Sequence, residues 1–250
     1  LPNFPKPRPP RSQKNLFQTI LIKVRLMIRK STGKKSTAIK ICGITKTSQA
    51  RRIAQLKINA IGVIGVKDSP RFVTEEECVK IFNEIDKVSS SIEKVFVIAN
   101  EKLENIKCIN NTENSPSVIQ LHGNESVHYC REFKNKFPTT KIWKACRLKS
   151  INDLKDISQY DENVDAILID AWDSKSLGGT GNRVPIELLV NKKFKTPWIL
   201  AGGISAEIIP EIFSKLKPDW VDASSRLEKS PGIKDLEKVK SLVRVIRELN

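Results

Sequence analysis

A lysine and a cysteine two residues apart, in Ala38-Ile-Lys-Ile-Cys-Gly-Ile-Thr45, form the first pairing in this sequence that could do chemistry. The segment is short, apolar and β-branched. It ends on Cys42 and Gly43 just before a helical pattern, as a strand does at the mouth of a parallel sheet. Alternate strand residues share a face, so Lys40 and Cys42 point the same way. An ammonium beside a thiol favours the thiolate, the reactive form. Taken alone, a cysteine on a buried strand is a small core residue. A second candidate is Asp170, which closes the apolar run Val164-Asp-Ala-Ile-Leu-Ile169. It is an N-cap or salt-bridge partner in one reading. In the other it is a general acid, because partial burial raises a carboxyl pKa.

Other residues offer binding rather than proton transfer. Arg71, in Ser69-Pro-Arg71, presents a guanidinium fork to a carboxylate or a phosphate, or else it is a solvated surface arginine. Gln120 and His122 share one face of another apolar run and would line a pocket, although a satisfied core histidine is the commoner fate. Leu177-Gly-Gly-Thr-Gly-Asn182, with Gly179 near its centre, lacks a Walker lysine and reads as a loop that closes over a ligand. Gly202-Gly203 and Ser224-Ser225 read as a phosphate site, with close backbone approach at the glycines and hydroxyl donors at the serines.

The elements that must position these residues alternate with regularity. Strand-like apolar runs fall at 38–44, 60–66, 94–99, 117–122, 141–146, 164–170, 197–201 and 219–223. Amphipathic helical stretches fall at about 47–57, 74–86, 101–108, 126–136, 150–159, 185–193, 205–216 and 234–249. The last carries Leu236, Val239, Leu242, Val243 and Ile246 as a helical stripe. Eight strand-then-helix units without a break in composition describe an α/β chain folded as a single (β/α)8 TIM barrel over residues 38–250. A doubly wound sheet is the alternative, but it need not give eight units. In a barrel the strand C-terminal ends carry the chemistry, and there the polar and glycine residues gather.

Composition narrows the rest. The chain has 250 residues and a formal charge of +16, of which residues 1–39 contribute ten lysines and arginines and no acid. Residues 1–37 therefore read as a disordered basic N-terminal extension. Two explanations suit it: translation beginning at Met27, or an organelle transit segment. Two aromatics, Phe4 and Phe17, are too few to make that extension a stacking surface for nucleic acid, and no nucleic-acid partner is expected. Ile20–Ile28 is interrupted by Lys23 and Arg25, too short and too charged to span a membrane. Five scattered cysteines, Cys42, Cys78, Cys108, Cys130 and Cys146, argue for a reducing compartment and against a disulfide frame or a structural zinc site. His122 and His128 alone do not make a His-rich metal site.

Taken together, the residues resemble the phosphoribosylanthranilate isomerase family. The carriers are Lys40-Ile-Cys-Gly-Ile-Thr45, Gly62, Ser69-Pro-Arg71, Gln120-Leu-His-Gly123 and Glu125 in the first half. In the second half they are Lys144-Ala145, Asp170, Gly178-Gly-Thr-Gly181, Ala201-Gly-Gly203, Ser224-Ser225, Glu228, Pro231-Gly232 and Lys234-Asp235. The resemblance implies an Amadori rearrangement in tryptophan biosynthesis, without metal or cofactor, with Cys42 as general base and Asp170 as general acid. It implies that Arg71 holds an anthranilate carboxylate and that the glycine and serine loops hold a phosphate. A cytoplasmic enzyme acting on a phosphorylated small molecule, as monomer or homodimer, is expected. Two stretches depart from the family: Gly62-Val-Ile-Gly65 replaces an aromatic-rich segment, and Ser224-Ser-Arg226 stands where Ser-Ser-Gly is common. The rival enzyme reading is another phosphate-binding barrel, an epimerase or an aldolase; a Schiff-base aldolase needs a lysine at a strand end, and Lys144 is the one good candidate. The rival outside enzymes is a basic nucleic-acid-binding protein in which the barrel is scaffold.

Overall fold

The structure, a computed structural model, describes residues 36–107, 114–171 and 184–250. Residues 1–35, Cys108 and the loop holding Gly179 lie outside the described residues. Eight apolar runs become eight strands: β1 (Ala38–Ile41), β2 (Ala60–Ile64), β3 (Glu93–Ile98), β4 (Val118–Leu121), β5 (Lys141–Leu148), β6 (Ala166–Ala171), β7 (Trp198–Leu200) and β8 (Trp220–Ala223). Each pairs with the next in parallel, and β8 returns to β1, so the sheet closes into a (β/α)8 barrel with no free edge.

The alternation of each strand sorts its side chains between two cores. Val95, Val97, Trp143, Ala145, Leu168 and Ile199 belong to the smaller, inward-facing cluster. A larger cluster packs the outward faces against the helices, and Leu242, Val243 and Ile246 of the helix Leu236–Leu249 are part of it. At the N-terminal end of the barrel the Trp143 and Trp220 rings meet edge-on, with centroids 5.1 Å apart. The register pairs Ala38 with Trp220 and Lys40 with Asp222, which sets Lys40 one inward layer above that aromatic floor.

The helices begin where side chains satisfy their first N–H groups. Thr74 and Glu77 form a reciprocal capping box ahead of Glu75–Asp86, and Asp235 accepts from Glu237 and Lys238 at the start of the last helix. Two expected helices are absent. The described part of 101–108 holds only the 3-10 turn Leu103–Asn105, and 185–193 holds only Ile186–Leu189, also 3-10. The first ends at Ile106, whose backbone leaves the helical region (φ −80, ψ 87), and the second starts on Pro185 and is stopped by Asn191 at φ +67. One element was not expected: an antiparallel hairpin, β9 (Glu228–Ser230) with β10 (Ile233–Lys234), follows β8. It turns at Gly232 (φ +78), whose carbonyl accepts from the Thr45 hydroxyl at 2.7 Å and so ties the hairpin to the loop after β1.

Among the described residues no helix is long and apolar enough to cross a membrane. Cys42, Cys78, Cys130 and Cys146 are buried.

Candidate active site

A cavity of about 310 Å³ opens among the strand C-terminal ends. It is lined by Cys42, Arg71, Gln120, His122, Asp170, Gly202, Gly203, Ser224 and Ser225, which are all the expected site residues that the structure describes. Asp222 and Arg226 line it too, though sequence reasoning gave neither a role in binding or catalysis beyond the loop position of Arg226.

Cys42 sits at the end of β1 with room made for it by Gly62. A Cβ on that glycine would lie 2.6 Å from the Cys42 Sγ. Beneath it Lys40 is wholly buried, and its Nζ donates to Asp222 Oδ2 at 2.7 Å. Burial works against the Lys40 ammonium, but Asp222 and the neighbouring thiol outweigh it, so its pKa moves up. The thiol does not follow the simple sequence argument. Burial pushes the Cys42 pKa above its ordinary value, Asp222 pushes the same way, and Lys40 recovers only part of the shift. Lys40 therefore offsets the cost of a buried thiolate without making the thiolate the resting form. Asp222 keeps Oδ1 buried without a hydrogen-bond partner inside the protein, a polar atom at the cavity wall.

Across the barrel, Asp170 ends β6. Its Oδ1 accepts from the Ala171 N–H at 2.8 Å, and its Oδ2 lies 3.5 Å from His122 Nε2. His122 Nδ1 is 2.8 Å from Gln120 Nε2. With the Gln120 amide donating, Nδ1 accepts, and the imidazole proton sits on Nε2, facing Asp170. The pair expected from shared strand alternation is thus real, and it orients a histidine toward the carboxyl.

Arg71 is buried, not solvated. Its Nε and Nη2 donate to the two oxygens of Glu228 at 2.9 and 2.8 Å, a fork-to-fork ion pair. Glu228 Oε1 also accepts from Lys234 Nζ at 2.6 Å. Burial raises the Glu228 pKa, yet the two cations prevail and hold it below the usual carboxylate range. On the other side Lys234 reaches the carbonyl and hydroxyl of Ser224, both at 3.3 Å. Gly202 and Gly203 take φ values of +81 and +68, left-handed conformations that a side chain would strain.

Each of the two departures has a structural answer. A Cβ at Gly65 would meet the Phe96 ring at 2.3 Å, so an aromatic from β3 fills space beside the missing aromatics of β2. Arg226 lies in the 3-10 turn Ser225–Leu227 and is not among the residues with positive φ. No glycine is required there.

Lys144 is where the aldolase reading fails. It alternates with Trp143 and Ala145 of the inner cluster and so faces outward from β5. Its Nζ pairs with Glu125 at 3.1 Å and donates to the carbonyls of Gly123 (2.9 Å) and Ala145 (2.7 Å). A lysine so enclosed, outside the cavity, cannot attack a substrate carbonyl.

Sequence reasoning missed Asp222, Glu228 and Lys234 as working groups. For Asp222 the signal was present: it stands two residues before Ser224 on a buried strand, hence on the same inward face. Glu228 and Lys234 carried no periodic signal.

Comparison with known proteins identifies the family and the fold. Residues 39–245 match the family model described as N-(5'phosphoribosyl)anthranilate (PRA) isomerase. The N-(5'-phosphoribosyl)anthranilate isomerase of Rippkaea orientalis is 39% identical over 213 residues, covering 85% of this chain and 97% of that one. Its counterpart from Crocosphaera subtropica is 37% identical over 212 residues, covering 85% and 99%. A crystal structure of phosphoribosyl anthranilate isomerase from Thermotoga maritima superposes with a TM-score of 0.75 at 25% identity, covering 84% of this chain and 98% of that one.

Proposed function

Because the chain belongs to the N-(5'-phosphoribosyl)anthranilate isomerase family, we propose that Cys42 and Asp170 are the general base and general acid of its reaction. The enzyme catalyses the Amadori rearrangement of phosphoribosylanthranilate to 1-(2-carboxyphenylamino)-1-deoxyribulose 5-phosphate in tryptophan biosynthesis. The observation that carries the residue assignment is that Cys42, Asp170, Arg71 and the Gly202 and Ser224 loops line one cavity.

In this reading Asp170 gives a proton to the furanose ring oxygen. The C1–O bond breaks, and the nitrogen lone pair forms a C1=N iminium. The Cys42 thiolate takes the proton from C2, and that electron pair neutralises the iminium to give an enolamine. Protonation at C1 and loss of the C2 hydroxyl proton yield the ketone. His122 steadies the Asp170 carboxyl, Arg71 meets the anthranilate carboxylate, and the 202–203 and 224–225 loops cradle the phosphate. Gln120 orients His122, and Gly179 belongs to a loop over the ligand.

Cys42→Ala and Asp170→Asn should each lower kcat by roughly 10²–10⁴-fold, the usual worth of a general acid or base. Product-analogue binding should persist in both, because the anchors are other residues. Near-normal turnover in either variant would remove that residue from the mechanism even though the family stands.

The same reading places the catalytic unit at 38–250, with residues 1–37 dispensable. The family match begins at residue 39. A chain beginning at Met27 should match the full chain in kcat and thermal midpoint; a large loss in either would make the extension part of the enzyme. A cytoplasmic monomer or homodimer that does not bind nucleic acid completes the proposal, and sedimentation at several protein concentrations distinguishes the two assembly states.

A further inference from the structure

We propose that Glu228, on the hairpin after β8, is a positioning residue that couples the carboxylate-binding and phosphate-binding ends of the active site. The proposal rests on the reading that Arg71 meets the substrate carboxylate and the Ser224 loop meets its phosphate. Glu228 itself acts through two cations. One carboxylate oxygen pair grips Arg71 bidentately, and Oε1 also takes Lys234, whose ammonium reaches back to Ser224. Arg71 lines the cavity and Lys234 is buried against the same carboxylate; they carry like charge, and without an anion between them they would repel.

A third strand of observation shows how tightly the parts converge. A Cβ built on Gly43, the neighbour of Cys42, would lie 2.6 Å from Arg71 Cδ, 2.9 Å from Ser224 Oγ and 3.4 Å from Lys234 Nζ. Gly43, at φ +76, therefore sits in the angle of the same cluster. The hairpin is in turn fixed to the Cys42 side of the barrel. Thr45 holds Gly232, and the Gln49 amide exchanges hydrogen bonds with the Lys234 backbone at 3.0 and 3.3 Å. Lys238 adds a bond to the Glu228 carbonyl at 3.1 Å. A hairpin with only five strand residues, of which Glu228 and Lys234 are buried, thus sets the spacing between two anchors that hold opposite ends of one ligand.

The consequence is a coupled loss. A residue that served only one anchor would affect only one end of the substrate. Glu228→Gln keeps the shape and removes the charge. With the full chain, anthranilate and ribose 5-phosphate serve as competitive inhibitors that each probe one end. We expect Glu228→Gln to weaken both by roughly tenfold, the scale of one charged hydrogen bond. The substrate KM should rise by about a hundredfold, the product of the two if they act independently, and kcat should change far less. There is also a pH signature. The groups that face the Lys234 ammonium are Glu228, Arg71 and Cys42; burial and Arg71 favour its neutral form, while Glu228 and Cys42 favour the charged one. Removing the Glu228 charge should make ribose 5-phosphate affinity fall off at lower pH than in the parent. Glu187→Gln, which breaks an exposed pair with Lys215, is the control and should move nothing.

Loss of affinity for only one probe, or for neither, overturns the coupling. Failure of the underlying reading looks different: Arg71→Met would then leave anthranilate inhibition unchanged, which removes the clamp with it. Should Glu228→Gln not fold, Lys234→Gln decides instead. It leaves the Arg71–Glu228 fork in place and should weaken ribose 5-phosphate roughly tenfold and anthranilate little. No effect on ribose 5-phosphate overturns the proposal.

Discussion

Lys144–Glu125 and Lys234–Glu228 are both lysine–glutamate pairs closed off from water at the same end of the barrel, at 3.1 and 2.6 Å. They end in opposite situations. Lys144 is enclosed by backbone: its ammonium bonds the carbonyls of Gly123 and Ala145, while Glu125 accepts from the N–H groups of Asn100 (2.7 Å) and Gly123 (3.2 Å). That pair fastens the loops after β3 and β4 to strand β5 and faces away from the barrel interior. Lys234–Glu228 is bonded mainly to side chains, Arg71 and Ser224, both of which line the cavity. The ionic chemistry is the same in both. What differs is whether the hydrogen bonds around the pair run to main chain or are handed on to groups that can meet a ligand. A buried pair whose hydrogen bonds run to backbone is a staple. A pair whose partners reach a cavity is machinery.

The sharpest way to break this contrast is Lys144→Met. It strands a buried carboxylate, and breaking one partner of a buried pair typically costs about 3–5 kcal/mol. The two backbone N–H groups on Glu125 should hold the loss toward the low end. The urea midpoint should therefore fall markedly, while kcat at a temperature where the variant is folded stays within about twofold of the parent. If instead the variant were stable and inactive, or borohydride trapped substrate on Lys144 in the parent, the lysine would be chemical and the distinction would fail.

A second test asks whether charge at the cavity acts as charge. Lys40 lowers the Cys42 pKa against burial and Asp222, which raise it, burial most. Thiolate absorbance, taken as the difference between the parent and Cys42→Ala, should titrate above the ordinary thiol value of about 8.5. In Lys40→Met the titration should move further upward, because the lowering influence is gone and the raising ones remain. The sign is fixed: a smaller thiolate fraction at any given pH, hence slower turnover on the limb that reports the thiolate. A downward shift would show that Lys40 is not the group that stabilises it.

This second test also marks where the sequence stopped being legible. Buried parallel strands read as unbroken apolar runs, so all eight were visible, and with them the rim on which Cys42, Asp170, Gln120 and His122 must stand. Adjacency was visible as well: Lys40 and Cys42 do share a face. What a string of letters does not contain is how much water each group loses, and that decides the direction of the Cys42 shift. The hairpin at 228–234 escaped for a related reason. Glu228 and Lys234 are buried charges on strands of three and two residues, where polarity argues for surface and the length is too short for any period to register. The 3-10 turns at 103–105 and 186–189 were overcalled as helices because a few apolar residues at helical spacing say nothing about where the backbone leaves the helical region, as it does at Ile106 and Asn191.

The smallest effect belongs to Arg226, which separates lining the cavity from working in it. The family pattern would place glycine there, and a glycine can mark a backbone that needs positive φ. Here the residue begins neither a left-handed turn nor a strained one: Ser224 leads into a right-handed 3-10 turn through Leu227, whose N–H bonds the Ser224 carbonyl at 3.0 Å. A phosphate loop of this kind works through main-chain donors, and arginine supplies those as well as glycine does. Its side chain adds a cation at the cavity edge, where attraction to a dianion is partly screened by solvent. Arg226→Gly should therefore raise KM by a few-fold through the lost cation, leave kcat nearly unchanged, and lower stability by roughly 0.5–1 kcal/mol through backbone freedom in the unfolded chain. Steady-state kinetics with a urea titration on the same preparation measures all three. A fall in kcat of about two orders of magnitude, the scale of a lost acid or base, would place Arg226 with Cys42 and Asp170 among the groups that act on the reacting atoms. The boundary between wall and machinery would then have to be redrawn through the loop after β8.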